Sequence, residues 1–224
     1  MSRLPSARRG LTRAIVPALA AASVAALLAL FLISRQEPAP PLAAALPAGC
    51  IIPPPAGVGG PFSLAAADGR TLTQADFAGR PALLYFGYTH CPDVCPVTLY
   101  AVKDALTAMG PAGAAVRTVV VSVDPERDSP QNMAQYAATN GFPPGAIGLS
   151  GAPDQVNSLL HAYGVTAFKT PLPGGGYNMS HTSFLYVMDQ SWNLRGMLST
   201  IGKTPQEMAR CIQASLQGDG ADRR

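Results

Sequence analysis

Two cysteines four residues apart, Cys91 and Cys95, stand in the segment Gly87-Tyr88-Thr89-His90-Cys91-Pro92-Asp93-Val94-Cys95-Pro96. At i and i+4 on a helical turn, both sulfurs face the same side. A thiolate attacks disulfides and also binds soft metal ions. The pair therefore points to redox exchange, soft-metal binding, or both; a structural disulfide or two inert thiols is the plainer alternative. Two cysteines cannot fill a metal site alone, and the chain has three histidines. His90 adjoins Cys91, so its side chain tends to point away from the pair. His161 falls in a helix-like stretch, where a histidine is more often a surface or core residue than a ligand. His181 lies in Tyr177-Asn178-Met179-Ser180-His181-Thr182, after three consecutive glycines at 174–176.

The elements decide among them. Residues 82–88 form a short, continuous apolar run, as in a strand buried on both faces. Residues 96–109 follow with Leu99, Val102, Leu106 and Met109 at helical spacing. The cysteines thus sit at a strand-to-helix junction, where the positive end of the helix favours thiolate. Residues 116–123 read as a second buried strand. Ser129-Pro130 reads as an N-cap with proline at the first helical position, opening a helix that stops at Asn140-Gly141. Residues 147–149 are a short strand and 154–163 a helix ended by Gly164. Residues 182–188 and 194–198 form a hairpin, and Thr204-Pro205-Gln206-Glu207 is a capping box before the last helix.

Strands alternating with helices predict an α/β domain, a central mixed β-sheet covered on both faces. A βαβ unit, a terminal hairpin and a closing helix make a thioredoxin-like fold, here with an inserted strand and helix between the halves. In that fold the residue ahead of the hairpin faces the cysteine motif, at the place where thioredoxins carry a cis-proline. This chain has no proline between Pro173 and Pro205, and His181 can occupy the position. Two thiolates and an imidazole suit copper: thiolate selects Cu(I), and imidazole accepts Cu(I) or Cu(II). Structural zinc would want a fourth protein ligand.

Three segments in order, F-G-Y-T-H-C-P-D-V-C-P, V-S-V-D-P-E-R-D-S-P at 121–130 and M-S-H-T-S-F-L-Y-V-M-D at 179–189, resemble the Sco/SenC family across roughly residues 59–216. The resemblance implies a membrane-anchored, thioredoxin-like copper chaperone, not an enzyme in the first instance, that helps assemble the dinuclear copper centre of cytochrome c oxidase subunit II. It implies Cys91, Cys95 and His181 as copper ligands, with Cys91 and Cys95 able to form a redox-active disulfide. Asp124 would lie near the site, behind its ligands, although an Asp-Pro after a buried strand also simply starts a turn. Ser180 departs from the aspartate that many members carry before the histidine. An upstream copper donor and a thiol reductant are implied partners.

Cys50 and Cys211 remain. Cys211 falls on the apolar face of the last helix, where a buried free thiol is one reading. In an oxidising compartment a Cys50–Cys211 disulfide, stapling the linker to that helix, is the other.

The compartment follows from the N-terminus. Residues 14–33 are uncharged and apolar, about long enough at a helical rise of ~1.5 Å per residue to cross a hydrocarbon core of about 30 Å. Arg3, Arg8, Arg9 and Arg13 precede this run and Arg35 follows it, which places the N-terminus in the cytoplasm and the body across a bacterial-type inner membrane, in the periplasm or outside. A cleaved signal peptide, a twin-arginine signal at Arg8-Arg9 and a lipoprotein site at Cys50 fit less well. The expected organisation is a tail and transmembrane helix over 1–35, a Pro/Ala-rich linker over 36–58, the folded domain over 59–217 and a frayed tail over 218–224. The net charge of +3 comes from the N-terminal arginines, and without them 11 basic side chains face 13 acidic ones. The body therefore has no electrostatic basis for binding nucleic acid. The main competing function is a thiol:disulfide oxidoreductase that keeps the copper acceptor's cysteines reduced. The three-residue spacing and missing cis-proline count against a general thioredoxin, and no activating Thr and Arg pattern precedes Cys91 for a peroxidase.

Overall fold

The computed structural model describes residues 49–217; the apolar run at 14–33, most of the Pro/Ala-rich linker and the tail at 218–224 lie outside them. Among the described residues no helix is long and apolar enough to cross a membrane. The strands are β1 (Ser63–Ala65), β2 (Thr71–Thr73), β3 (Ala82–Gly87), β4 (Arg117–Ser122), β5 (Ile147–Leu149), β6 (Ala167–Pro171), β7 (Tyr177–His181), β8 (Leu185–Met188) and β9 (Leu194–Leu198). The helices are α1 (Val94–Ala108), α2 (Pro111–Ala114), α3 (Pro130–Ala137), α4 (Pro153–Ala162) and α5 (Pro205–Gln217).

Five strands form the central sheet in the order β5-β4-β3-β8-β9. β3 pairs parallel with β4 and antiparallel with β8, β4 pairs parallel with β5, and β8 pairs antiparallel with β9. The sheet is mixed, as the alternation of strands and helices predicts. β3 lies at its centre and every one of its residues is buried. That is why its sequence is continuously apolar instead of alternating. The helices start where their caps dictate. Ser129 Oγ accepts the Asn132 N–H at 3.1 Å to open α3. Thr204 and Glu207 exchange both capping-box bonds at the start of α5. Gly148 lets α3 lie against β5, since a Cβ there would stand 2.0 Å from the Met133 carbonyl oxygen.

The folded body begins earlier than residue 59. Cys50 is buried and joined to Cys211 of α5 by a disulfide, with Cα atoms 5.7 Å apart. Ile52 exchanges backbone hydrogen bonds of 2.8 and 2.9 Å with Met197 on the outer edge of β9. At the other edge Ala65 bridges to Ser150, just past β5. The prolines of this stretch mask its packing in the sequence, because a chain that runs along a strand edge needs few donors of its own.

Two hairpins are absent from the sequence expectation. β1 and β2 make a short hairpin, and β6 and β7 make a longer one that forms a two-stranded sheet of its own. His181 therefore ends a strand instead of merely preceding one. It sits at the tip-distal end of an arm, with three residues between it and β8.

Candidate metal centre

The site is built where β3 gives way to α1. Gly87 ends the strand, and a Cβ there would stand 3.0 Å from the Tyr85 ring and 3.4 Å from Cys95 Sγ, so an added methyl group would press on the ring that packs beside the sulfur. Asp93, the residue ahead of α1, makes no side-chain cap. Instead Cys91 Sγ accepts the Cys95 backbone N–H at 3.2 Å. A sulfur thus does the work of the helix cap, and negative charge on it meets the positive helix end. Cys91 is half-buried and Cys95 is fully buried.

The two thiols are strongly unlike. Donation from the Cys95 thiol, helped by the N–H groups of Cys95 and Asp93, lowers the Cys91 pKa to about 6 despite partial burial. The same hydrogen bond and burial push the Cys95 thiol far up. The pair therefore carries one negative charge near neutral pH, centred on the more accessible sulfur.

His181 approaches from the arm. Its Nδ1 lies 2.9 Å from the Thr182 carbonyl oxygen. A carbonyl only accepts, so Nδ1 carries the proton and the Nε2 lone pair is free. Nε2 lies 3.9 Å from Cys95 Sγ. With metal–sulfur and metal–imidazole bonds of about 2.3 and 2.0 Å, a trigonal ion separates its S and N ligands by roughly 3.7 Å. Burial lowers the His181 pKa, with the Thr182 contact opposing, so the ring stays neutral and ligand-ready at neutral pH. The Tyr88 ring meets the His181 ring edge-on, centroids 6.0 Å apart.

Among the described residues no group of three or more His, Cys, Asp or Glu side chains is drawn together tightly enough to hold an ion as it stands. Cys95 and His181 are at ligand spacing, while the Cys91 sulfur is turned to the start of α1.

Asp124 is buried but is not at the sulfurs: its partners are the Arg127 guanidinium, the Tyr177 hydroxyl at 3.0 Å and, through its own N–H, Ser122 Oγ at 2.9 Å. His90 is exposed, with Nδ1 2.9 Å from Thr89 Oγ1 and 3.9 Å from an Asp128 oxygen. His161 is exposed on α4. The residue that sequence reasoning missed is Asp128. Buried, it accepts from Ser122 Oγ at 2.7 Å, from the Thr89 N–H at 3.1 Å and from Thr89 Oγ1, and so anchors the loop that presents Cys91.

A model of the SCO1/SenC family matches residues 52–217 of this chain. Mitochondrial SCO1 homolog 1 of Arabidopsis thaliana is 38% identical over 139 residues, covering 62% of this chain and 41% of that protein. The SenC protein of Rhodobacter capsulatus is 36% identical over 133 residues, covering 59% of each. The chain thus spans less than two thirds of the length of these relatives. A solved structure of Bradyrhizobium japonicum ScoI with copper bound is 39% identical, with a TM-score of 0.62, covering 71% of this chain and 99% of that one.

Proposed function

Because the chain belongs to the SCO1/SenC family, we propose that it is a copper metallochaperone that takes one copper ion on Cys91, Cys95 and His181 and passes it to the dinuclear copper centre of cytochrome c oxidase subunit II. The observation that carries this reading is the free Nε2 of His181 at 3.9 Å from Cys95 Sγ, beside a second, charge-bearing sulfur. The copper bound in the similar Bradyrhizobium protein supports the choice of metal. The half-exposed Cys91 is the ligand an acceptor thiolate reaches first, so transfer proceeds by exchange of shared sulfur ligands. Oxidation of Cys91 and Cys95 to a disulfide, by passing two electrons to a partner disulfide and releasing one proton from the singly charged pair, takes both sulfur ligands away from the metal. The apolar run at 14–33 serves as the anchor that holds the domain outside the inner membrane, near a membrane-bound acceptor.

The unlike thiols favour a second reading. An accessible thiolate with a buried partner is the arrangement of a disulfide reductase. Cys91 would attack the acceptor's disulfide and release one thiolate, and Cys95 would then attack the mixed disulfide and release the other. Replacing His181 by Ala separates the two. For a metallochaperone, Cu(I) affinity measured against a chromophoric chelator falls by two or more orders of magnitude. A reductase whose wild type holds no copper tightly, and whose exchange rate is unchanged by His181→Ala, would refute the copper reading.

A further inference from the structure

His181 rides on an arm that shares no ladder with the central sheet. Its distance from Cys95 must be set by whatever ties β6 and β7 to the body. Ala167 and Met179 pack against the core, but apolar packing is not directional. The directional ties are few. The Met179 N–H donates to the Tyr88 hydroxyl at 3.2 Å. Lys169 Nζ meets Glu126 at 2.6 Å, an exposed pair that holds little. The remaining ties from the arm gather on Arg127 and its partner Asp124, and just past the arm Ser183 Oγ lies 3.3 Å from the Tyr85 hydroxyl.

We propose that Arg127 is the positioning residue that holds His181 at ligand distance from Cys95, a role that rests on the copper-site reading. Arg127 Nη1 donates to the Tyr177 carbonyl at 2.9 Å, and its Nε donates to the Asp124 carboxylate. Its guanidinium carbon lies 3.8 Å over the Tyr177 ring and 5.9 Å from the Tyr88 ring. The Tyr177 hydroxyl closes the ring of contacts by donating to the other Asp124 oxygen at 3.0 Å. Tyr88 belongs to the segment between β3 and Cys91, and Tyr177 belongs to the arm, so the guanidinium sits between the two parts that carry the sulfurs and the imidazole. Tyr177 and His181 are four residues apart on one strand, hence on the same face. A shift of the strand at Tyr177 therefore displaces His181 with it. Nη2 is buried without a hydrogen-bond partner, so the group is committed to stacking and orientation and not to solvent. Asp124 acquires its role here: it orients Arg127 and accepts from the Tyr177 hydroxyl of the arm. A lysine would keep the charge but lose both the fork and the planar stack.

The test compares full-length reduced wild type, Arg127→Lys, His181→Ala and the double variant, with Cu(I) affinity read by chelator competition. Arg127→Lys should weaken copper about 10- to 100-fold, the range for residues that orient a ligand. In the His181→Ala background the same change should add nothing. Equal losses in both backgrounds, or wild-type affinity in Arg127→Lys, would overturn the proposal. A second measurement needs no copper: the nuclear Overhauser contact between the His181 and Tyr88 rings of the metal-free protein should vanish in Arg127→Lys. It should persist in Tyr177→Phe, which keeps the stack, and the Cys91 alkylation rate should not change. A retained ring contact in Arg127→Lys refutes the positioning role. A wild type with no copper affinity would sink the copper reading alone, because the ring contact still decides what Arg127 does.

Discussion

Replacing Asp128 by Ala should both destabilise the domain and loosen Cys91. The Asp128 carboxylate is buried and accepts three hydrogen bonds. The bond from Ser122 is buried, and the two from Thr89 are part-buried. Hydrogen bonds to a charged acceptor contribute about 1.5–3 kcal/mol where water is excluded and less where it is not. Counting about 2 kcal/mol for the buried bond and about 1 for each other, then returning part of the desolvation cost of the carboxylate, leaves a net loss of about 3 kcal/mol. For a domain of this size that is a fall of about 6–12 °C in the unfolding midpoint. Asp128→Asn keeps an oxygen for Ser122 and the Thr89 N–H. Its new NH2 can donate to Thr89 Oγ1, which can turn its own proton to His90 Nδ1, 2.9 Å away. The loss should then be about 1 kcal/mol. Urea unfolding of the reduced, metal-free protein measures both, and iodoacetamide labelling reads Cys91. A loss below about 1 kcal/mol for Asp128→Ala, with unchanged labelling, would refute the claim that Asp128 anchors the Cys91 loop.

Three further outcomes are expected. Alkylation of Cys91 should rise as pH passes through about 6, well below an ordinary thiol, and Cys95→Ala should move that inflection upward by removing the donating S–H. The double change Cys50→Ala and Cys211→Ala opens a loop with a sequence separation of 161 residues. Chain entropy puts the stabilisation near 5 kcal/mol, and a measured loss of about 2–5 kcal/mol in urea is expected while copper affinity stays at wild-type level. Gly87→Ala places a methyl group 3.0 Å from the Tyr85 ring and 3.4 Å from Cys95 Sγ, so copper affinity should fall several-fold while far-ultraviolet circular dichroism is unchanged.

The sequence carries the elements whose signals are local. Residues 82–88 show a buried strand because both faces of β3 are covered, and Ser129 and Thr204 mark helix starts because their caps act within three residues. The arm was not legible. β6 is almost wholly exposed and ends in Pro171, so neither alternation nor apolar content betrays a strand. β1, β2 and α2 are three or four residues long, below the length at which periodicity registers. At the site, the cysteines announce themselves by spacing and His181 by its place ahead of a hairpin. Asp128 does not, because a carboxylate just before a Ser-Pro helix start reads as solvated turn. Only β4, β3 and the following loop, brought together, show that it is enclosed. Asp124 was read as a neighbour of the site, and its link through Arg127 depends on an arm the sequence does not reveal.

The bridges at the two outer strands have a consequence for how the chain avoids other copies of itself. An uncovered strand edge is a template for pairing with a second molecule. Here Ile52 covers β9 and Ala65 covers the chain at β5, and both covering segments precede β3. Each guard is thus made before the edge it protects, so an edge meets its cover as soon as it forms. For a domain proposed to fold after crossing a membrane, away from cytoplasmic chaperones, that order shortens the interval in which aggregation can begin. Trimming the chain to the start of the thioredoxin-like core would leave the metal ligands in place and expose β9 to its neighbours.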